Sequence, residues 1–131
     1  MVFTETEIAY LDSQRLGRLA TAQPDGTLQL SPVTFAYNRD LDTIDISGHN
    51  LTSSQKFRNL ATNQRVAFVV DDLPPISPWR VRCLEIRGSA EALGGLDVPL
   101  IRIPPKRIIS FGIDELDTHA HELTSNNRDV D

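Results

Sequence analysis

The chain has 131 residues, 40% of them hydrophobic and 24% charged, the balance of one globular domain and not of a disordered chain. With 13 Lys and Arg against 18 Asp and Glu, the formal charge is −5, the reverse of the basic excess carried by phosphate-backbone binders. Generic nucleic-acid binding is therefore disfavoured, which leaves room for a local basic site for a small anion. A single cysteine, Cys83, leaves no internal disulfide and no multi-thiolate metal site, fits a reducing compartment and reads as inert core. The segment from Met1 to Glu5 lacks the basic-then-apolar pattern of a signal peptide, and no apolar run nears the roughly 18 residues that span a bilayer. The expectation is a soluble cytoplasmic protein.

Thr4-Glu5-Thr6-Glu7 has the pattern of a capping box, which predicts a first helix over about 5–15, stopped by Gly17. A strand at 18–22 and the turn Pro24-Asp25-Gly26 then make a hairpin into 28–37. Along that second strand the apolar phase flips. Leu28 and Leu30 occupy one phase, Val33, Phe35 and Tyr37 the other, and Pro32 at the flip predicts a bulge or an edge position. Thr43–Ser47 alternates as a third strand. A second capping box, Thr52-Ser53-Ser54-Gln55, predicts a helix to about Asn63. The run 66–70 reads as a buried strand, and 71–78, with three prolines in five residues, as a loop. A long strand is expected over 80–93, then a last one interrupted at Pro104-Pro105 and resumed at 108–113.

From Asp114 the chain is polar and acidic and is expected to be a frayed tail, so that residues 1–113 make the barrel domain and 114–131 the tail. His119 and His121 in that tail have no cysteines nearby, and no metal site is expected. Six strands, two short helices and hairpin connections predict a mainly β fold, a small antiparallel barrel. The dinucleotide glycine fingerprint, the P-loop and the nucleophile elbow are all missing.

The stretch most suggestive of chemistry is 47–60. There a strand ends, Gly48-His49-Asn50 turns, and a capped helix begins with Ser54 and Lys56. Free amides, serine hydroxyls and a lysine suit a phosphate. On a helical wheel Lys56 and Asn59 share one flank, and Arg58 takes the other. An ordinary amphipathic helix with solvated cations satisfies the same spacing. Trp79 could stack on a planar ring or simply pack.

In order along the chain, Leu16-Gly17-Arg18-Leu19-Ala20-Thr21, Pro24-Asp25-Gly26, Ser31-Pro32-Val33, Gly48-His49-Asn50, Ser54-Gln55-Lys56-Phe57-Arg58-Asn59, 65–72, Pro78-Trp79-Arg80, 85–91 and 108–112 resemble the pyridoxamine-phosphate-oxidase-like split β-barrels. The nearest likeness is to the branch of deazaflavin (coenzyme F420)-dependent oxidoreductases. That resemblance implies a six-stranded antiparallel split β-barrel and a homodimer with two cofactor sites between the subunits. It implies hydride transfer from reduced coenzyme F420 to a small organic acceptor, with the cofactor ring carrying the chemistry. By the same resemblance Lys56 holds the phosphate beside Ser54 and Asn59. Ser31, Pro32, Val33, His49 and Asn50 flank the ring, and Trp79 and Arg80 belong to the segment contributed by the partner. FMN in place of F420 and a non-catalytic carrier are the competing readings. Two departures stand out. The connection 94–99 is short where many relatives insert a helix, and Ser110-Phe111-Gly112 stands where the F420 branch usually has a tryptophan.

Overall fold

A computed structural model describes residues 2–114 and 124–131; His119 and His121 lie outside them. Helix α1 spans Glu5–Ser13, and its capping box is complete: the Thr4 hydroxyl accepts from the Glu7 amide at 3.1 Å, and the Glu7 carboxylate accepts from the Thr4 amide at 2.8 Å. The helix stops at Ser13 because Gln14 is already extended, not at Gly17 as the sequence predicts. Gly17 instead sits inside strand β1 (Leu16–Ala22), where a Cβ would lie 2.5 Å from the Phe68 ring.

The remaining strands are β2 (Leu28–Asn38), β3 (Thr43–Ser47), β4 (Arg65–Asp72), β5 (Arg82–Ser89), β6 (Glu91–Leu93), β7 (Leu100–Ile103), β8 (Pro105–Phe111) and β9 (Asn126–Asp129). They form one sheet in the order β6-β7-β3-β2-β1-β4-β5-β8-β9, with every neighbouring pair antiparallel. Among the described residues nine strands replace the expected six, for two reasons. Each of the two long strands bends at one residue, Ala90 between β5 and β6 and Pro104 between β7 and β8, and the acidic tail supplies β9. The bends close the sheet, because β5 and β8 at one end run directly into β6 and β7 at the other. Gly88 is required at this corner: a Cβ there would meet the Pro104 carbonyl oxygen at 2.6 Å, and the β5–β8 register shifts between Arg87 and Gly88.

The barrel interior is filled from both sides by Leu19, Val33, Ile44, Ile46, Phe68, Val70, Leu84, Ile86, Ile101, Ile103 and Ile108, all buried. Phe3, Tyr10 and Leu11 from the α1 region add to this core, and Phe3 meets Tyr37 edge-on at 5.3 Å. Among the described residues no helix is long and apolar enough to cross a membrane.

Two polar clusters tie α1 down. The Tyr10 hydroxyl donates to Asp72 at 2.9 Å, while Arg82 grips the same carboxylate at 2.8 and 2.5 Å and lies over the Tyr10 ring. Burial, with Asp72 as hydrogen-bond partner, pushes the Tyr10 phenol above its usual range. The hydrogen bonds from Arg82 hold the Asp72 carboxyl below its usual range, against the opposing effect of burial. The second cluster overturns the expectation of fraying for residues 126–129. Arg128 in β9 donates to both oxygens of the buried Glu7, at 2.8 and 2.5 Å, and to the Val2 carbonyl at 2.8 Å. An acidic stretch becomes a strand because its one arginine finds a desolvated carboxylate.

Arg128→Ala leaves that carboxylate buried without its cation and is expected to cost about 3 kcal/mol, the usual scale for a buried pair broken on one side. A calorimetric Tm about 10 °C lower would register it. Asp72 contributes its stability above the unfolded carboxyl pKa of about 4 and loses it as pH falls through the lower folded value. Wild type and Asp72→Asn should therefore differ most in Tm at neutral pH and converge in acid, as thermal melts across that range would show.

Candidate functional site

Strand β2 is the spine of the candidate site. Its ladder to β1 runs unbroken from Leu28 to Thr34, so the expected bulge at Pro32 does not form. The edge alternative is the one observed, since pairing with β3 begins only at Thr34. Residues 28–33 thus have a strand partner on the β1 side alone, which leaves backbone groups unpaired along the other side and makes Pro32, with no amide to offer, cost nothing there. At the point where β3 would have continued, Gly48-His49-Asn50 turns away. All three are exposed, and Asn50 adopts the left-handed conformation at φ 54°. Segments 31–33 and 48–50 therefore flank one notch at the end of the β2–β3 ladder.

Ser31, in the segment that borders the notch, has a buried hydroxyl with no hydrogen-bond partner, a group that is costly to leave unsatisfied. Pro32 is exposed, and the Val33 side chain belongs to the core, so only its backbone can face a ligand.

After a short 3-10 turn at Leu51–Ser53, helix α2 spans only Gln55–Asn59, shorter than the predicted helix to Asn63. Its cap is Ser54 and not Thr52. The Ser54 hydroxyl accepts from the Phe57 amide at 3.3 Å and donates to the Leu51 carbonyl at 2.5 Å. Asn59 is buried, and its side-chain amide is engaged on every side. Its nitrogen donates to Thr21 at 2.9 Å and to Gln29 at 3.1 Å, and its oxygen accepts from Gln55 at 2.6 Å. Asn59 therefore docks α2 onto the β1–β2 hairpin beside the notch. Lys56 is half-buried on the same helix, and Arg58 is exposed and donates to Gln55 at 2.9 Å. The orphaned Ser31 hydroxyl and the unpaired edge at 31–33 border the notch, and α2, which carries Lys56, is docked on the neighbouring β1–β2 hairpin; groups of this kind suit an anionic, hydrogen-bonding ligand.

Trp79 and Arg80 are separated by the fold. Trp79 is exposed, whereas Arg80 is buried and donates from Nε to the Gly112 carbonyl at 3.1 Å. Arg80, expected in the segment that the partner contributes, thus has its guanidinium engaged by Gly112 of its own chain.

The outer face of the sheet holds a groove that the sequence reading does not place. Arg18, Leu30, Val69, Asp71, Val81, Cys83 and Phe111 line a groove of about 410 Å³, and Ala20, Ala67 and Glu85 extend it. Arg18 and Asp71 form an ion pair there at 2.7 Å. Cys83 lies on this outer row and not in the core; burial, assisted by Asp71 and Glu85, pushes its thiol up to about 11, so it remains protonated. The signal for this face was the phase flip in β2: Leu28 and Leu30 are 76% and 69% exposed because the outer face is itself apolar. Among the described residues no cluster of metal-ligating side chains occurs.

Comparison with known proteins places these features. The family model described as "Pyridoxamine 5'-phosphate oxidase" matches residues 3–100. A protein of Streptomyces rimosus subsp. rimosus named 5a,11a-dehydrotetracycline/5a,11a-dehydrooxytetracycline reductase is 44% identical over 136 residues, covering 95% of this chain and 96% of that one. Among solved structures, the conserved hypothetical protein Rv2991 of Mycobacterium tuberculosis superposes with a TM-score of 0.70 at 24% identity, covering 90% of each chain. An FAD-binding protein of Mycobacterium smegmatis does so with a TM-score of 0.60 at 21% identity, over 82% of this chain and 93% of that one. These two establish the fold alone. The mainly β barrel, its antiparallel topology and the match across most of its length make this chain a member of the pyridoxamine 5'-phosphate oxidase family.

Proposed function

We propose that this protein is a reductase that adds a hydride and a proton across an activated carbon–carbon double bond of an organic acceptor, using reduced coenzyme F420 held in the notch beside β2. The observation that carries the reading is the 44% identity, over nearly the whole of both chains, to a protein named as a dehydrotetracycline reductase. When bound, a reduced deazaflavin, or FMN in the alternative, supplies the hydride equivalent. The protein's part is to bind, orient and exclude water. Lys56 supplies a positive charge for the phosphate. The Ser31 hydroxyl and the unpaired edge at 31–33 supply hydrogen bonds for the polar rim of the ring, and His49 and Asn50 close its other side. Ser54 and Asn59 serve the site indirectly, by capping α2 and docking it where Lys56 can act.

The same reading includes a homodimer. Exposed Leu28 and Leu30, with Val69, Val81 and Phe111, make an apolar sheet face of the kind a second copy covers, and the Arg18–Asp71 pair inside it gives that contact a polar register. Leu30→Glu is expected to shift gel-filtration elution from dimer to monomer while leaving circular dichroism unchanged. An unchanged elution volume would assign the interface elsewhere.

Fluorescence titration with F420 and FMN in parallel tests the cofactor, followed by turnover of a conjugated fused-ring acceptor. Saturable F420 binding with turnover is the expected result. Preference for FMN would change the cofactor, and binding without turnover would leave a carrier. Lys56→Ala should weaken cofactor binding by about 1.5–3 kcal/mol, the scale of a charge-assisted hydrogen bond. Equal affinity in that variant would remove Lys56 from the site.

A further inference from the structure

Helix α2 has five residues, too few to be held by its own backbone hydrogen bonds, so its seat depends on what its side chains reach. Half-buried Phe57 and buried Leu60 give it an apolar footing. One line of side-chain hydrogen bonds supplies the rest. Arg58 donates to Gln55 at 2.9 Å, Gln55 to Asn59 at 2.6 Å, and Asn59 to Thr21 at 2.9 Å and Gln29 at 3.1 Å. Thr21 and Gln29 face each other in the β1–β2 ladder, so the Asn59 nitrogen bridges one cross-strand pair.

The direction of this line is not set by its middle. A primary amide offers either its oxygen or its nitrogen after a half-turn of its plane, and a hydroxyl either donates or accepts. Gln55, Asn59, Gln29 and Thr21 are all of these two kinds. Left to themselves they would run equally well backwards, with Thr21 and Gln29 donating to the Asn59 oxygen and the Asn59 nitrogen donating to Gln55. A guanidinium has donors and no acceptor, so Arg58 is the one member of the line that admits a single direction. It takes the Gln55 oxygen, which turns the Gln55 nitrogen onto Asn59 and the Asn59 nitrogen onto the strand pair. Although exposed, Arg58 lines a groove with Phe57, Leu60 and Ala92, on the flank of α2 that also carries Gln55. Asn59 at the far end is 1% exposed, where the facing of an amide matters most. We infer that Arg58 is the positioning residue of α2: through Gln55 it fixes the facing of the Asn59 amide, and with it the seat on the β1–β2 hairpin of the helix that carries Lys56. Its effect on cofactor affinity rests on the reading of Lys56 as the phosphate-binding group; the facing of the amides does not.

The test takes the full chain, isotope-labelled, without cofactor. In a nitrogen–proton correlation spectrum the side-chain amide signals of Gln55 and Asn59 report their partners, and nuclear Overhauser contacts tell which end of Asn59 faces Thr21. Arg58→Met is expected to shift both sets of signals and to lose the contact between the Asn59 amide protons and Thr21, whereas Arg58→Lys, still a pure donor, keeps them. An arginine that only stabilised the helix would lower Tm and leave the facing of Asn59 as it is. In titrations with F420 and FMN, Arg58→Met and Gln55→Met should each raise Kd about fivefold, the scale of one net hydrogen bond, with Arg58→Lys within about twofold of wild type. In the Gln55→Met background Arg58→Met should add nothing further, since its route to Asn59 is gone, whereas direct contact with a phosphate would add its full factor. Asn59 signals unmoved by Arg58→Met, or full additivity in the double variant, overturn the inference. Moved signals with cofactor affinity unchanged, or with neither cofactor bound by wild type, uphold it and strike the phosphate reading of Lys56 instead.

Discussion

At Gly88 and Pro104 two strands of the sheet turn the same corner in contact, and the enclosure of the core depends on that contact. A flat nine-stranded sheet could not bury Leu84, Ile86, Ile101, Ile103 and Ile108 against Leu19 and Phe68. Bent there, it brings β6 and β7 round to β3 and leaves the edge of β2 below Thr34 without a strand neighbour. The closure that makes the core also makes the notch. A missing side chain at Gly88 is what lets the Pro104 carbonyl come this close.

How much of this was legible in the sequence depended on how far apart the interacting groups lie. The capping box of Thr4 and Glu7 and the Pro24-Asp25-Gly26 turn use neighbours a few residues apart, and both form as read, with Gly26 at φ 89°. The corner was invisible because Ala90 falls inside an unbroken strand pattern and Pro104 looks like an interruption within one. Only tertiary pairing reveals that each passes the chain from one end of the sheet to the other. Glu7 and Arg128, 121 positions apart, had no local pattern, and so β9 read as a tail.

The candidate site shows the same division. Lys56, the 48–50 turn and the edge at Pro32 follow from local spacing and from proline's missing amide. Asn59 is expected at the site from its helix flank beside Lys56 and from the family resemblance, Arg80 from the resemblance alone. Each is engaged by groups distant in sequence, Thr21 and Gln29 for one and Gly112 for the other, which no local pattern announces. The phase flip in β2 was visible as an anomaly, but its meaning, an apolar outer face, needed Val69, Val81 and Phe111 to be placed beside it.

The Glu7–Arg128 contact has a consequence for how the chain behaves when it is crowded. Strand β9 occupies the free side of β8 along Arg107–Ser110, with Arg107 and Asp129 paired at 2.7 Å. Without that cover, a row of unbonded amides and carbonyls beside Ile108 and Ile109 would be open to strands from other molecules, the usual starting point of β-aggregation. One arginine holding one buried carboxylate thus keeps the edge of β8 covered, protecting solubility through the folded state and not through surface charge.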